Sequence, residues 1–351
     1  MEEIRFQRAL IIGATGMIGA HATRACLAHG IAVRALVRHG SDRALLEKIA
    51  GATPPLGLRG LSFATGDLGD PSSLASAPEE CDIVIHVAAP YPRKHFGKGA
   101  FLQAAERGMR NFLDAMRNGI SSSSSSGRPV SRVVYVSSST TIGLRPDASR
   151  LANEEDQRRA PDRSPYFSVK FLLEDLAMQA AAEGLPIVVV NPTLCVDEYD
   201  DHRTTAMLLI PLAQGKVPAY LKGSLNAVAT RDVGEGIVLA AGRGRPGRRY
   251  LLGGENLETR DLLARCARAA GAKAPRIAIP MPLAETLSIA TETIAHLTRT
   301  APLFPMSGVR MSKWSQPFSI ARAQTELGYQ PTSLDDAIAR AYAWYRMRGW
   351  M

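Results

Sequence analysis

The chain has 351 residues, 46% hydrophobic and 21% charged, which is the balance of an ordinary globular protein with one large or two moderate domains. That composition excludes a disordered, collagen-like or coiled-coil chain. Lys and Arg number 42 against 33 Asp and Glu, so the net charge is +9 and an anionic partner is expected: nucleic acid, a membrane surface or a phosphorylated small molecule. Cys26, Cys81, Cys195 and Cys266 lie far apart, with no CxxC pair and no disulfide framework. They read as reduced thiols of a cytosolic protein. Seven scattered histidines without an HExxH give no metal expectation. Met1-Glu2-Glu3-Ile4-Arg5 is no signal peptide, and no apolar run reaches the ~18 residues of a membrane span. The chain therefore reads as soluble and cytoplasmic, with no membrane partner.

In chain order, short β-branched runs alternate with helical stretches. Strands are expected at Ala9–Ile12, Ala32–Val37, Leu61–Ala64, Ile83–Val87, Val133–Val136 and Ile187–Val190. Helices are expected at Gly16–His29, Ala44–Ala50, Gly99–Asn118 and Tyr166–Glu183. Continuous apolar strands alternating with helices predict an α/β fold, a doubly wound parallel Rossmann sheet covered on both faces. The serine run Ser121–Ser126 reads as a surface insertion. After Asn191 the alternation weakens into short helices (Thr204–Gln214, Val233–Ala241, Thr259–Ala270, Leu283–Thr298, Leu334–Met347) and one late strand, Tyr250–Leu252. Residues 1–190 are read as an NAD(P)-binding domain. Residues 191–351 are read as a smaller, mostly helical substrate lobe that partly returns to it. The basic stretch Arg243–Arg249 is expected to be a solvated loop.

Gly13-Ala14-Thr15-Gly16-Met17-Ile18-Gly19 follows the first strand and opens the first helix. Gly13 permits the tight turn, Gly16 lets a pyrophosphate approach the backbone, and Gly19 lets the helix pack closely on the sheet. Free N–H groups and the helix dipole then favour the diphosphate, with Thr15, Met17 and Ile18 lining the turn. The second strand ends at Arg38 with no acid, and Arg43 follows. An arginine suits a 2′-phosphate, so NADP is favoured over NAD, which remains the alternative. Asp67 and Leu68 after the third strand would meet the adenine. The small Val87-Ala88-Ala89 tip of the fourth would let the cofactor cross the sheet.

Tyr166 and Lys170 are four residues apart and share one helix face. They follow the serine cluster that ends the fifth strand. Tyr166 can act as acid/base in a carbonyl–alcohol hydride transfer. Lys170 would favour its phenolate and hold the nicotinamide ribose. Ser138 would hydrogen-bond the substrate oxygen, with Ser139 the competing assignment.

GATGMIG, GDL, HVAAP, VVYVSSS, YFSVK and Asn191-Pro192-Thr193 together resemble the extended short-chain dehydrogenase/reductase family, which includes the NAD-dependent epimerases/dehydratases. The C-terminal Arg231–Gly236, Tyr250–Leu257 and Glu326–Tyr329 segments resemble the dihydroflavonol-reductase-like branch, with hopanoid-associated sugar epimerases nearest in pattern. The resemblance implies the triad Ser138, Tyr166 and Lys170 and cofactor contacts at Asn191, Pro192 and Thr193. It also implies homodimers through the 99–118 and 166–183 helices. Sugar-nucleotide dehydratases of the family follow the catalytic hydroxyl with Asp and Glu, whereas here Ser139, Thr140, Thr141 and Ile142 follow. The family's epimerases commonly carry Tyr where Ile142 stands. These departures, with Arg38, favour an NADPH-dependent ketone or aldehyde reductase. The alternative is a nucleoside-diphosphate-sugar epimerase on tightly bound NAD. Pro90, Tyr91, Thr140 and Cys195 are expected near a small-molecule substrate. No basic run with interleaved aromatics supports a nucleic-acid partner.

Overall fold

The computed structural model describes residues 6–88, 98–121, 129–145, 147, 149–156, 165–298 and 306–351. The first half runs β1 (Arg8–Ile12), α1 (Met17–Ala28), β2 (Ala32–Val37), α2 (Ala44–Gly51), β3 (Leu61–Thr65), α3 (Pro71–Ala75), β4 (Ile83–His86), α4 (Lys98–Ser121), β5 (Arg132–Val136), α5 (Pro165–Ala182) and β6 (Ile187–Pro192). The second half runs β7 (Leu194–Val196), α6 (Ala206–Ala213), β8 (Ala219–Leu221), β9 (Ser224–Ala229), α7 (Thr230–Arg243), β10 (Arg249–Leu252), β11 (Glu255–Glu258), α8 (Thr259–Ala270), β12 (Ile277–Ile279), α9 (Met281–Thr298), α10 (Met306–Lys313) and α11 (Leu334–Met347).

Seven strands form one sheet in the order β10-β6-β5-β4-β1-β2-β3, with every neighbouring pair parallel. Side chains alternate across a strand, so each run feeds two cores. Ile11, Val134, Val136, Val188 and Val190 face α1, α2 and α7; Leu10, Ile12, Val84, Val133, Ile187 and Val189 face α4 and α5. This double burial is why the strands read as continuous apolar runs. The strand order reverses between β1 and β4, and a crevice at such a reversal is where open α/β sheets take their ligands.

The chain returns to the sheet after Asn191. α7 packs on α1 so closely that a Cβ on Gly234 would stand 2.5 Å from the His21 carbonyl oxygen, and β10 pairs with β6. Short strands missed by the periodicity build a three-stranded sheet, β11-β9-β7, and a β12-β8 pair. They are three to six residues long and carry no two-residue alternation to betray them. α6, α8 and α11 bury Leu209, Leu212, Leu262, Leu263, Tyr342 and Tyr345 against this smaller sheet. Asp197, just after β7, accepts two hydrogen bonds from Arg340 on α11 at 2.7 and 3.0 Å.

The basic Arg243–Arg249 stretch is the solvated loop expected over residues 245–248, exposed between α7 and β10, but the fold also ties its arginines down. Arg243 donates to the Leu327 carbonyl at 2.6 Å, Arg248 pairs with Glu326 at 2.9 Å, and Arg249 is buried in an ion pair. Ser122–Ser126 lie outside the described residues. Among the described residues, no helix is long and apolar enough to cross a membrane, and no His/Cys/Asp/Glu group could hold a metal ion.

Candidate active site

The turn after β1 is shaped by its glycines. Gly13 adopts φ +89°, and a Cβ there would lie 2.7 Å from the Ala88 amide nitrogen. The β1 and β4 tips are thus in contact, and the Ile12 carbonyl accepts from both Val87 and Ala88 at 2.9 and 3.0 Å. A Cβ on Gly19 would fall 2.1 Å from the Gly13 oxygen, so α1 can start here only with glycine. At Gly16 the nearest atom to such a Cβ is 3.6 Å away, leaving that face open to a ligand. Gly16 caps α1 without a side-chain hydrogen bond, and the first turn holds no acid. The leading N–H groups of α1 therefore face the crevice with no competing anion, which fits a dinucleotide diphosphate. Thr15, Met17 and Ile18 are half-buried around the turn.

The far end of the crevice is open. Arg38, directly after β2, is exposed. Arg43, also exposed, lays its guanidinium 4.8 Å from the Phe63 ring centroid. Asp67 is exposed, with one carboxylate oxygen accepting from the Gly69 amide at 2.7 Å. Half-buried Leu68 accepts from the Asn111 side-chain amide at 2.8 Å. Ala89, Pro90 and Tyr91 lie outside the described residues.

The catalytic end is closed and polar inside. β5 delivers Ser137 and Ser138 to a one-turn 3-10 helix, Ser139–Thr141. Ser138 is extended, and its Oγ accepts from the Thr140 amide at 3.3 Å and the Thr140 hydroxyl at 3.0 Å. Both lone pairs are then engaged, and the Ser138 hydrogen is left to donate outward. Pro165 opens α5, where its missing N–H costs nothing. One residue on is half-buried Tyr166, and one turn further is buried Lys170. The Lys170 Nζ donates to the Ser137 carbonyl at 3.3 Å. Burial pushes this ammonium down to about 8, while the Glu174 carboxylate pulls the other way. The Ser138 strand end and the Tyr166–Lys170 helix face thus converge at the C-terminal edge of the sheet.

Two of the expected site residues lie deep in the fold. The Asn191 side chain is fully buried; its amide donates to the Ser138 carbonyl at 3.1 Å, the Thr141 hydroxyl at 3.0 Å and Glu174 at 2.6 Å. It braces the site from beneath, and its Oδ1 has no hydrogen-bond partner among the described residues. Cys195 is buried with Val136, Val190 and Val228, so its thiol packs in the core; burial raises it to about 12. Pro192 and Thr193 are buried as well, and the Thr193 hydroxyl donates to Asn226 at 2.8 Å. Glu174, Thr141 and Arg249 escaped the sequence reading. The spacing Tyr166, Lys170, Glu174 (two steps of four on one helix) carries the signal that finds Glu174.

The profile of the NAD dependent epimerase/dehydratase family matches residues 9–253, and the chain belongs to that family. It is an enzyme of the nicotinamide-dinucleotide-dependent class, on a Rossmann-like sheet. A Synechocystis sp. protein named dihydroflavonol 4-reductase is 30% identical over 347 residues, covering 97% of this chain and 95% of its own. The 4-hydroxy-2-methyl-3-oxo-4-farnesyl-3,4-dihydroquinoline-1-oxide ketoreductase of Stigmatella aurantiaca is 28% identical over 295 residues, 82% of this chain and 80% of its own. The solved structure of a nucleoside-diphosphate-sugar epimerase from Pseudomonas aeruginosa is 26% identical, with a TM-score of 0.78 over 98% of this chain and 99% of that one.

Proposed function

We propose that the chain is an NADPH-dependent reductase of a ketone or aldehyde. The observation that carries this reading is the run after Ser138. It supplies hydroxyls and an apolar residue, Ser139, Thr140, Thr141 and Ile142, where water elimination would need an acid and a base. Thr141 is buried and turned inward, its hydroxyl donating to Glu174 at 2.7 Å. The site is therefore equipped for proton exchange at one oxygen and not for dehydration.

NADPH, when bound, supplies the hydride. Every other part of the work falls to the chain. Gly13 and Gly16 would let the diphosphate reach the α1 N-terminus, Gly19 keeps the turn tight enough for it, and Arg38 would meet the 2′-phosphate. The Ser138 hydroxyl donates to the carbonyl oxygen and orients it. Tyr166 gives that oxygen a proton as the carbonyl carbon becomes an alcohol. Lys170 lowers the cost of the resulting phenolate, and Tyr166 regains its proton from solvent before the next turnover. The ketoreductase name of the Stigmatella relative makes bulky apolar ketones the first substrates to try.

The test is NADPH oxidation, followed by loss of absorbance, with purified full-length chain and a panel of aryl, isoprenoid and aliphatic ketones and aldehydes. Steady turnover that stops when NADPH is spent supports the reductase. Protein that instead co-purifies with one equivalent of NAD, never exchanged by added carbonyls, selects the epimerase reading favoured by the Pseudomonas likeness.

A further inference from the structure

Glu174 stands outside the Ser–Tyr–Lys set, yet three side chains from three other elements converge on its carboxylate. It lies one turn beyond Lys170 on α5, with its side chain 7% exposed. One carboxylate oxygen accepts from the Thr141 hydroxyl at 2.7 Å and from the Asn191 amide at 2.6 Å. The other accepts from Arg249 Nη1 at 3.3 Å, and that arginine is itself 10% exposed. The 3-10 turn, β6 and β10 are all tied to α5 through this one group. The Asn191 amide that reaches Glu174 also holds the Ser138 carbonyl, and Lys170 holds the Ser137 carbonyl. A buried carboxylate left unpaired would cost several kcal/mol, so an acid at such a position has a specific task.

Resting on the reductase reading above, we propose that Glu174 is a positioning residue that keeps Lys170 charged and fixed at the end of β5, with Arg249 limiting its pull. The two cations and one anion occupy a water-poor region where charges act strongly on one another. The other titratable groups that bear on the pair are Tyr166 on the preceding turn of α5, Tyr135 on β5, His86 on β4 and Cys195 on β7. Tyr135 and Cys195 are held protonated by burial, and His86 is held neutral by it. None of those three supplies the counter-charge. Glu174, one helical turn from Lys170 and buried with it, is the carboxylate placed to oppose the desolvation that lowers this ammonium.

The chain has eight lysines, so selective 13C-lysine labelling of the full-length protein gives few enough signals to titrate, with Lys170→Arg identifying the one of interest. The wild-type Lys170 signal should titrate near pH 8. Glu174→Gln should move its midpoint down by at least a unit, a tenfold change in acidity. Arg249→Met should move it up, because one repelling cation is gone and the carboxylate is less neutralised. A merely structural role predicts that both changes loosen the packing and shift Lys170 in the same direction. Where the enzyme turns over, Glu174→Gln should depress kcat more at pH 8 than at pH 6.5, since the unassisted ammonium loses its proton earlier. Glu174→Asp and Arg249→Met keep the test open if Glu174→Gln does not fold. An unchanged Lys170 midpoint in Glu174→Gln, or shifts of the same sign in both variants, overturns the proposal. Opposed shifts in a protein that reduces no carbonyl would retain the electrostatic role and remove the reductase reading instead.

Discussion

The two ends of the crevice are built differently. At the catalytic end, Lys170, Glu174, Asn191 and Thr141 are all buried and hydrogen-bonded to one another's elements. At the adenine end, Arg38, Arg43 and Asp67 are exposed, with a local turn at Asp67 and the Phe63 ring under Arg43. Chemistry needs groups held within fractions of an ångström, and packing supplies that precision. Cofactor choice needs only charge within reach, and surface residues supply it cheaply. A change at the closed end should therefore act on turnover or stability, and a change at the open end on selectivity alone.

The largest effect should come from Tyr166→Phe. It removes one oxygen and leaves the ring that packs 5.7 Å from Phe167. Loss of an acid/base group costs about 10²–10⁴ in rate. NADPH affinity, read by quenching of protein fluorescence, should stay within about twofold because the ring and Lys170 remain. Turnover within a few-fold of wild type would take Tyr166 out of the chemistry.

Beneath the same end lies a group that should govern acid stability. His86 on β4 is 1% exposed, edge-on to Phe112 at 4.4 Å and beside Tyr135 at 5.6 Å, with no hydrogen-bond partner for either ring nitrogen among the described residues. Burial lowers it from 6.5 to about 4. The folded chain therefore holds a neutral ring, while the unfolded chain takes up a proton below pH 6.5. The stabilisation is fully present above pH 6.5 and is lost as pH falls through 4. A depression of that size corresponds to about 3 kcal/mol over the window. His21 on α1, likewise buried and lowered to about 4, should add a similar loss. The urea midpoint should fall between pH 7 and pH 4, and His86→Leu should remove about half of that fall. An equal fall in wild type and variant would show that the acid sensitivity lies elsewhere.

How much of this was legible in the sequence follows from the same contrast. The Rossmann half was readable because strands buried on both faces leave unbroken apolar runs, as in Ile187–Val190. The glycine turn was readable because only glycine avoids the clash at position 19. Arg38 and Asp67 were placed by the sequence at the exposed ends of β2 and β3, where the structure has them. Glu174 and Arg249 were not, because their meaning is a contact between residues 75 apart in the chain. Arg249 in particular sits in a stretch whose charge density resembles a solvated loop until the fold buries its last member. Asn191 is carried to the site by β6, and its amide reaches Glu174 on α5, a contact the sequence did not announce.

The smallest of these effects should fall on the open end. Arg38→Asp replaces an exposed cation that would meet a 2′-phosphate with an anion that can accept from ribose hydroxyls. An exposed charge–phosphate contact is screened by water and salt, so the NADP/NAD preference should swing by about ten- to a hundredfold and no more, equivalent to roughly 1.4–2.8 kcal/mol. The swing should shrink as ionic strength rises, because a Debye length near 10 Å at 0.1 M reaches an exposed arginine but not a buried pair. Turnover with the preferred cofactor should barely move, since nothing at β2 touches Tyr166 or Lys170. Arg43 sets the limit on the change: its guanidinium is already placed over Phe63 and can still meet a phosphate after Arg38 is gone. If Arg38→Asp leaves the kcat/KM ratio for the two cofactors unchanged while Arg43→Ala alters it, the phosphate contact belongs to Arg43. The open end would then be organised by a stacked ring and not by the charge that closes β2.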